Sequence, residues 1–260
     1  MNHPSLQPAW PDLITEIRKR TPARVLVERA GAGYCTDTQI ELRQAHAAAR
    51  DAVRSELDLE RDLGAEFVRT WNLFEVTTQA RSKDEYLLRP DLGRRFSEDA
   101  ARTIRARCPQ EVDFEIVIGD GLSVTAIAAQ VPGLVPLLAR EASDRGWKIG
   151  QGFVIRYCRV GVINEVGELL RPQVVALLIG ERPGLATAQS LSAYMAYQPR
   201  AGDSDAQRNL ISNIHARGVL PGAAARRIAN LAALMMRERR SGSDLKEELA
   251  GPARMEKLDP

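Results

Sequence analysis

The sequence predicts an α/β protein in which a small, mainly helical N-terminal domain precedes a C-terminal domain with a doubly wound sheet. Two observations lead to this fold class. After Val112, short apolar runs alternate with segments of helical period, and such alternation is typical of a parallel sheet with helices on both faces. Before Val112, apolar residues recur every three or four positions instead, which is the period of an amphipathic helix.

The N-terminal domain is expected to span residues 10–108. Pro11 suits the first turn of a first helix. Asp37 or Thr38 could cap a second helix, because their side-chain oxygens can accept hydrogen bonds from the free N–H groups of a first turn. A third helix is expected over residues 59–71.

Residues 72–96 interrupt this helical pattern. They include a proline and a glycine and have mixed polarity without a sustained period. We therefore expect a long ordered loop, and long loops in compact domains are often functional. Ser97 follows the loop and should cap a helix that ends near Cys108.

The C-terminal domain is expected to span residues 109–240. Its strand candidates are the stretches "DFEIVIGDG", "GFVIRYCRV", "VVALLIG" and "LSAYMAYQP". One helix is expected to begin at Ser123, and a separate helix is expected over residues 134–143. Two further helices are expected over residues 164–170 and 221–236. Residues 241–260 are rich in glycine, serine and charge, which predicts a frayed tail.

Three of the strand candidates end in polar, glycine-bearing segments, at residues 119–121, 159–161 and 180–184. Ligands of a doubly wound sheet bind beyond the carboxyl ends of its strands, so the three segments could form one crevice. There, glycines would let a bulky ligand approach, and Asp120 or Glu181 could accept hydrogen bonds. The alternative is that all three are ordinary turns, which need glycine, aspartate and proline in any case.

The composition excludes several classes of protein. Lys and Arg number 36 against 34 Asp and Glu, a net charge of +2, which favours neither nucleic acid nor an anionic membrane as a partner. No apolar run approaches the roughly 20 residues of a membrane span, and the first residues do not resemble a secretory signal. The three cysteines are far apart, which favours reduced thiols and a cytoplasmic location over a disulfide or zinc framework.

Known short motifs are incomplete. "RAGAGY" has Gly31 and Gly33 but Thr36 at the third glycine of a dinucleotide fingerprint. The three histidines are scattered, and we expect no metal site. "NIHARG" has the spacing of the D-x-H-x-x-G motif that ligates cobalt in many cobalamin proteins. Asn213 replaces the acid that would orient His215.

The stretches "ARSKDEYLLRPDLGRR", "IGDGLS", "RYCRV", "LLIGERPGL", "SLSAY" and "ISNIH" occur in this order. Together they closely resemble the small subunit of ethanolamine ammonia-lyase, and the resemblance covers residues 12–237. It implies an adenosylcobalamin-dependent enzyme that converts ethanolamine to acetaldehyde and ammonia. In that family a large TIM-barrel subunit binds the substrate and carries the radical chemistry. The small subunit has a Rossmann-like C-terminal domain, cobalamin lies between the subunits, and six of each assemble.

The resemblance also implies site residues. It assigns cobalamin contacts to Val160, Glu181 and Leu210, and no catalytic residue to this chain. The corrin ring carries amide arms that donate hydrogen bonds, which a carboxylate or a backbone carbonyl can accept. The cofactor keeps its own base on cobalt in this family, so His215 is expected to be structural.

Other residues of the matching stretches have weaker assignments. Asp120, Arg182 and Ser192 could line the same crevice, and the arginines of residues 81–95 could pair with acids of the large subunit. Only a short segment precedes the residues that the resemblance covers. From this we expect a free cytosolic enzyme rather than one enclosed in a microcompartment. Two alternatives stay open: a stand-alone nucleotide-dependent enzyme, and a subunit that only supports assembly.

Overall fold

The computed structural model describes residues 10–21, 25–27, 29–184 and 186–247. The helices in this part of the chain are α1 (Trp10–Arg20), α2 (Thr36–Arg54), α3 (Leu59–Leu63), α4 (Ala65–Thr70), α5 (Lys83–Leu88), α6 (Glu98–Arg107), α7 (Val124–Asp144), α8 (Ile163–Leu170) and α9 (Pro221–Glu238). The strands are β1 (Arg29–Ala30), β2 (Gly33–Tyr34), β3 (Glu75–Thr77), β4 (Phe114–Gly119), β5 (Val154–Arg156), β6 (Val174–Gly180), β7 (Leu191–Tyr197) and β8 (Asn209–Ile214).

The fold is mixed α/β, and its main sheet has six strands in the order β3-β5-β4-β6-β7-β8. The first four of these strands are parallel, and three of them, β4, β5 and β6, are strands that the sequence predicts. Strands β7 and β8 are antiparallel to their neighbours, so the expectation of an all-parallel sheet is wrong. The cause is the connection between β6 and β7, residues 181–190, which is too short for a parallel crossover and whose described residues form no helix.

Helices cover both faces of the sheet. On one side, which we call the α7 face, helices α7 and α9 pack against alternate residues of β6: Val174, Ala176 and Leu178. On the other side, the α8 face, helices α6 and α8 pack against the intervening residues: Val175, Leu177 and Ile179. Every residue of β6 is buried, which explains its uninterrupted apolar sequence.

Helix boundaries agree with the sequence where local capping decides them. The hydroxyls of Ser97 and Ser123 cap α6 and α7 as expected. Helix α2 begins at Thr36 after Cys35, without a side-chain cap, so the expected cap at Asp37 or Thr38 is wrong.

Two other helices differ from the prediction. The single helix expected over residues 59–71 is divided into α3 and α4, because Gly64 adopts a φ of +87° that breaks a helix. Conversely, α7 is one helix where a break was expected. It continues through Pro132 and Pro136, since buried side chains on both sides of the prolines pack in the α7-face core.

The segment 72–96 is not only a loop. It contains β3 at the edge of the main sheet and helix α5. Strand β3 is too short to show a periodic pattern in sequence. We call residues 78–96, which follow this strand, the strap.

The N-terminal part of the chain shares the core of the sheet. Leu57 and Leu63 are buried in the α7-face core, and Ile104 of α6 is buried in the α8-face core. The predicted domain boundary at residue 108 therefore does not coincide with a gap in the core.

The predicted frayed tail is only partly described. Leu245 is buried, and the amide of Asn209 hydrogen-bonds to the backbone of Gly242 and of Leu245. Residues 241–247 are therefore packed rather than frayed, and residues 248–260 lie outside the described part of the chain.

No helix among the described residues is long and apolar enough to cross a membrane.

Candidate functional site

The carboxyl end of β4 leads into Asp120, which is 1% exposed. Its two carboxylate oxygens accept hydrogen bonds from the N–H groups of Cys158 at 2.8 Å and Tyr157 at 3.0 Å. The Lys83 ammonium of the strap lies 3.8 Å from the same carboxylate and is also buried. Burial raises the pKa of Asp120, and Lys83 and the backbone N–H groups oppose that rise. Asp120 is thus a buried, paired group rather than part of an open crevice.

The strap fills the space beside Asp120. Tyr86 is completely buried, and its hydroxyl donates to the carbonyl of Cys158 at 2.9 Å. The Arg159 guanidinium lies over the Tyr86 ring, 4.2 Å from its centroid. A doubly wound sheet binds nucleotides where successive helices leave to opposite faces; here this place is between β4 and β5. The chain occupies it with its own side chains, which disfavours the nucleotide-dependent alternative.

The glycines at the strand ends serve internal packing. A Cβ atom on Gly180 would lie 2.1 Å from the Ser123 carbonyl oxygen, and one on Gly121 would lie 2.3 Å from the Gly180 carbonyl oxygen. At these two positions the close neighbour is the chain itself, so the expectation that they admit a bulky ligand is wrong. Gly184 differs, because a Cβ there would meet nothing within 4 Å.

Glu181 follows β6 and is half-buried. Its Oε2 atom accepts a hydrogen bond from the Ser190 hydroxyl at 2.8 Å. Its Oε1 atom accepts one from the Ser192 hydroxyl and one from the Asn213 N–H at 3.3 Å. Because β7 returns beside β6, these donors converge on the carboxylate. A carboxylate can accept about four hydrogen bonds, so Glu181 is held in place with acceptor capacity left.

Leu210 lies on the same face of the sheet as Ser192. Ser192 and Tyr194 pair with the α8-face core residues Ile179 and Leu177, and Leu210 pairs with Tyr194. Paired residues of antiparallel strands point to the same side. Leu210 is nevertheless 46% exposed.

The α8 face is therefore incompletely covered at β7 and β8. We call the surface formed by Glu181, Tyr194 and Leu210 the open face. Val160 is half-buried and packs against the same core as Tyr194, at the start of the short 3-10 helix that leads into α8. The carbonyl of Val160 accepts a hydrogen bond from the N–H of Ile163 and retains a second lone pair. The structure brings the three residues that the resemblance singles out to one face of the sheet.

A polar cavity of about 390 Å³ lies next to Val160. Arg94, Gly161, Asn164 and Arg208 are among its lining residues. The Arg208 side chain is only 5% exposed, and its guanidinium donates to the side chains of Asn164 and Asp205. Burial, together with the nearby Arg94, lowers the pKa of Arg208.

The remaining sequence candidates have diverse surroundings. Ser192 is buried beneath the Glu181 carboxylate, whereas Arg182 is exposed. His215 is buried; its Nε2 donates to the Asn213 side-chain oxygen at 2.7 Å, and its Nδ1 accepts from the Arg217 N–H at 3.1 Å. Both ring nitrogens are thus satisfied, which supports a structural role. Across the described residues, no group of three or more His, Cys, Asp or Glu could hold a metal ion.

Sequence reasoning missed the residues that surround the two acids. No pattern in the sequence indicates that Lys83 pairs with Asp120, because this pairing depends on how the strap folds back over the end of β4. Ser190 and Asn213 converge on Glu181 through the antiparallel return of β7 and β8. That return could have been anticipated from the short connection after β6.

Comparisons with known proteins agree with the sequence resemblance. A family model described as "Ethanolamine ammonia-lyase light chain (EutC)" matches residues 11–246. The ethanolamine ammonia-lyase small subunit of Clostridium perfringens is 42% identical over 239 residues, which cover 92% of this chain and 79% of that protein. The small subunit of Clostridium acetobutylicum is 40% identical over 233 residues, which cover 90% of this chain and 94% of that protein. The small subunit of Listeria monocytogenes is 39% identical over 240 residues, which cover 92% of this chain and 80% of that protein. The chain therefore belongs to the family of ethanolamine ammonia-lyase small subunits, or light chains.

Proposed function

We propose that this chain is the non-autonomous small subunit of an adenosylcobalamin-dependent ethanolamine ammonia-lyase and forms one side of the cobalamin site. The enzyme converts ethanolamine to acetaldehyde and ammonia in ethanolamine catabolism. Bound adenosylcobalamin supplies the radical chemistry that this conversion needs. The large subunit, a TIM barrel, binds ethanolamine, and six copies of each subunit assemble.

One observation carries the assignment of the site: Val160, Glu181 and Leu210 lie on the same face of the sheet, which is incompletely covered at β7 and β8. Glu181 is fixed by donors from β7 and β8, so its ordering in the complex costs little conformational entropy. It retains acceptor capacity, which suits the N–H groups of corrin amide arms. Val160 offers a backbone carbonyl, and Leu210 offers apolar contact surface.

The chain's own residues bind and orient; we assign none of them a catalytic role. Asp120 is buried and paired within the chain, which supports a structural function. The His215 ring is likewise satisfied by its own loop, and we propose no protein ligand to cobalt.

The large subunit is proposed to cover the open face. Leu210 is 46% exposed there, and Leu88 of α5 is 81% exposed on the strap. Arg81 and Arg89 lie on either side of Leu88 in sequence, and arginines are common at protein interfaces. Apolar side chains beside arginines suit a partner surface with acidic residues around an apolar patch.

Finer features of fold and location are proposed on the same basis. The parallel strands β4, β5 and β6, with helices on both faces, support a Rossmann-like C-terminal domain over residues 109–240. Residues 10–108 would form the helical N-terminal domain. Cys35, Cys108 and Cys158 are free thiols, which supports a cytoplasmic location.

Co-expression with a candidate large subunit tests the proposal. We expect the two chains to purify together and to deaminate ethanolamine only when adenosylcobalamin is added. A chain that stays monomeric and shows no response to the cofactor would contradict the assignment.

Substitution of Glu181 tests the site itself. In the assembled enzyme, Glu181→Ala should weaken adenosylcobalamin binding by about tenfold, the loss expected for one charge-assisted hydrogen bond. Glu66→Ala is the control, because Glu66 is an exposed acid on α4, away from the open face. Unchanged affinity in Glu181→Ala would instead favour a subunit that only supports assembly.

A further inference from the structure

The turn that precedes Val160 has a strained backbone. Tyr157 adopts a φ of +56°, in the left-handed region that bulky L-residues rarely enter. Such a conformation persists only where its surroundings determine it fully, and it is frequent at ligand-binding sites.

The backbone groups of this turn are held from two sides. Asp120 accepts hydrogen bonds from the N–H groups of Tyr157 and Cys158. The strap supplies the partners of the next groups along the turn. The Thr78 hydroxyl donates to the Tyr157 carbonyl at 3.0 Å, and the Tyr86 hydroxyl donates to the Cys158 carbonyl.

The strap also binds the end of the turn. The N–H of Arg159 donates to the carbonyl of Gly93 at 2.8 Å. Gly93 has no room for a side chain, because a Cβ there would lie 2.7 Å from the Tyr157 carbonyl oxygen and from the Arg159 Cγ atom. The strap and the turn are thus in direct backbone contact.

The groups that hold the turn are themselves fixed. Lys83 and Asp120 form a buried ion pair. The ring of Tyr86 lies between two cations, with the Lys83 ammonium 5.1 Å and the Arg159 guanidinium 4.2 Å from its centroid. Lys83, Asp120 and the Tyr86 hydroxyl cannot move without leaving a buried polar group unpaired, which is costly.

We propose that Lys83, Tyr86 and Asp120 are positioning residues, which hold residues 157–159 in the conformation that presents Val160 to the cofactor. This inference rests on the proposed function, because it takes Val160 as a cobalamin contact. Val160 follows the turn directly, so any loss of order in the turn reaches it without an intervening flexible segment. Observed affinity is proportional to the fraction of molecules in the binding-competent conformation.

Tyr86→Phe tests this inference in the assembled two-subunit enzyme. The variant keeps the ring and removes only the hydroxyl that binds the Cys158 carbonyl. We expect adenosylcobalamin to bind about fivefold to tenfold more weakly, measured by titration of the cofactor's visible absorbance. Tyr197→Phe is the matched control, since Tyr197 packs on the α7 face; it should bind the cofactor as the wild type does.

A second control separates positioning from stability. Ile127→Val removes one methylene from the α7-face core and should lower the unfolding temperature without changing the affinity. If Ile127→Val and Tyr86→Phe weaken binding in proportion to their lost stability, Tyr86 is only structural. Wild-type affinity in Tyr86→Phe would overturn the inference.

Hydrogen exchange of the wild-type complex provides a readout that needs no variant. We expect the amides of Tyr157 and Cys158 to be protected before any cofactor is added. Fast exchange of these amides that slows only when adenosylcobalamin binds would show that the turn is not preformed. That result would overturn this inference but not the proposed function. A wild-type complex that binds no adenosylcobalamin would overturn the proposed function, and this inference with it.

Discussion

Asp120 and Glu181 each follow the last glycine of neighbouring parallel strands, β4 and β6, yet the two carboxylates have opposite surroundings. Asp120 is 1% exposed and faces an ammonium group. Glu181 is half-buried and is bound by two hydroxyls and one N–H. The same local sequence, a glycine followed by an acid, thus yields an internal ion pair at one strand end and an accessible acceptor at the next.

The difference arises from what the rest of the chain places above each strand end. The strap crosses the end of β4 and brings Lys83 and Tyr86 with it. At the end of β6, the described donors to Glu181 are the Ser190 hydroxyl just before β7, the Ser192 hydroxyl of β7 and the Asn213 N–H of β8. A carboxylate at a strand end is therefore a binding candidate only if its own chain leaves it accessible.

The largest expected effect comes from breaking the Asp120 pair. Asp120→Ala leaves Lys83 as a buried charge without its partner and should lower the free energy of unfolding by about 3–5 kcal/mol. Urea unfolding of the purified chain measures it. Glu181→Ala, at the half-buried position, should cost about 1 kcal/mol.

The double variant Lys83→Met/Asp120→Asn sharpens this comparison. It removes both charges together and should be more stable than Asp120→Ala. Equal losses for Asp120→Ala and Glu181→Ala would show that the two strand ends do not differ as described.

An intermediate effect is expected at the glycines. Gly180→Ala places a Cβ 2.1 Å from a backbone carbonyl oxygen, which should lower the free energy of unfolding by about 1–3 kcal/mol. Gly184→Ala is the matched control, because its Cβ meets no atom within 4 Å, and it should stay within about 0.5 kcal/mol of the wild type. Thermal or urea unfolding of both variants tests whether close internal packing is the reason for a glycine at position 180. A stable Gly180→Ala protein would contradict that explanation.

A third carboxylate extends the comparison to a group without a partner. Glu115 lies in β4 and is fully buried, and neither of its oxygens has a hydrogen-bond partner within the described chain. Burial raises the pKa of Glu115 well above 4.5. The folded protein therefore keeps a proton that the unfolded chain releases.

This proton fixes the sign of the pH dependence. The stability contributed by neutral Glu115 is fully present below pH 4.5 and is lost as the pH rises through the raised pKa of the folded state. Between pH 4.5 and the raised pKa of Glu115 in the folded state, the free energy of unfolding should fall by about 1.4 kcal/mol per pH unit. Glu115→Gln, which cannot ionise, should reduce the slope in urea unfolding at a series of pH values, and the raised pKa of Asp120 should leave a remainder of the same sign. The same slope in both proteins would assign the pH dependence to other groups.

The sequence predicted those elements that local interactions decide. Strand β6 follows from its apolar run, helix α9 from Pro221 at its start, and α6 and α7 from their serine caps. The direction of β7, the short strand β3 and the continuity of α7 depend on contacts with distant parts of the chain. No window of local sequence contains that information.

The candidate site was predicted to a similar extent. Glu181 and Ser192 were both named from the sequence, and the structure joins them by a hydrogen bond. Asp120 was named for the same reason as Glu181, but the strap buries it. Its partner Lys83 lies 37 positions earlier in the chain, and nothing in the local pattern of lysine 83 distinguishes it from a surface residue. Whether Val160, Glu181 and Leu210 bind cobalamin stays a prediction.

Strand β8 forms one edge of the six-stranded sheet, and this has a consequence for how the protein is made. An edge strand presents backbone N–H and C=O groups that can pair with a strand of another chain. Leu210 and Leu220, both about half exposed, lie on and just after this edge and add apolar surface to it. Under the proposed function, a chain made in excess of its large subunit would leave this edge uncovered, and we expect it to self-associate. We therefore expect the two subunits to be produced in balance.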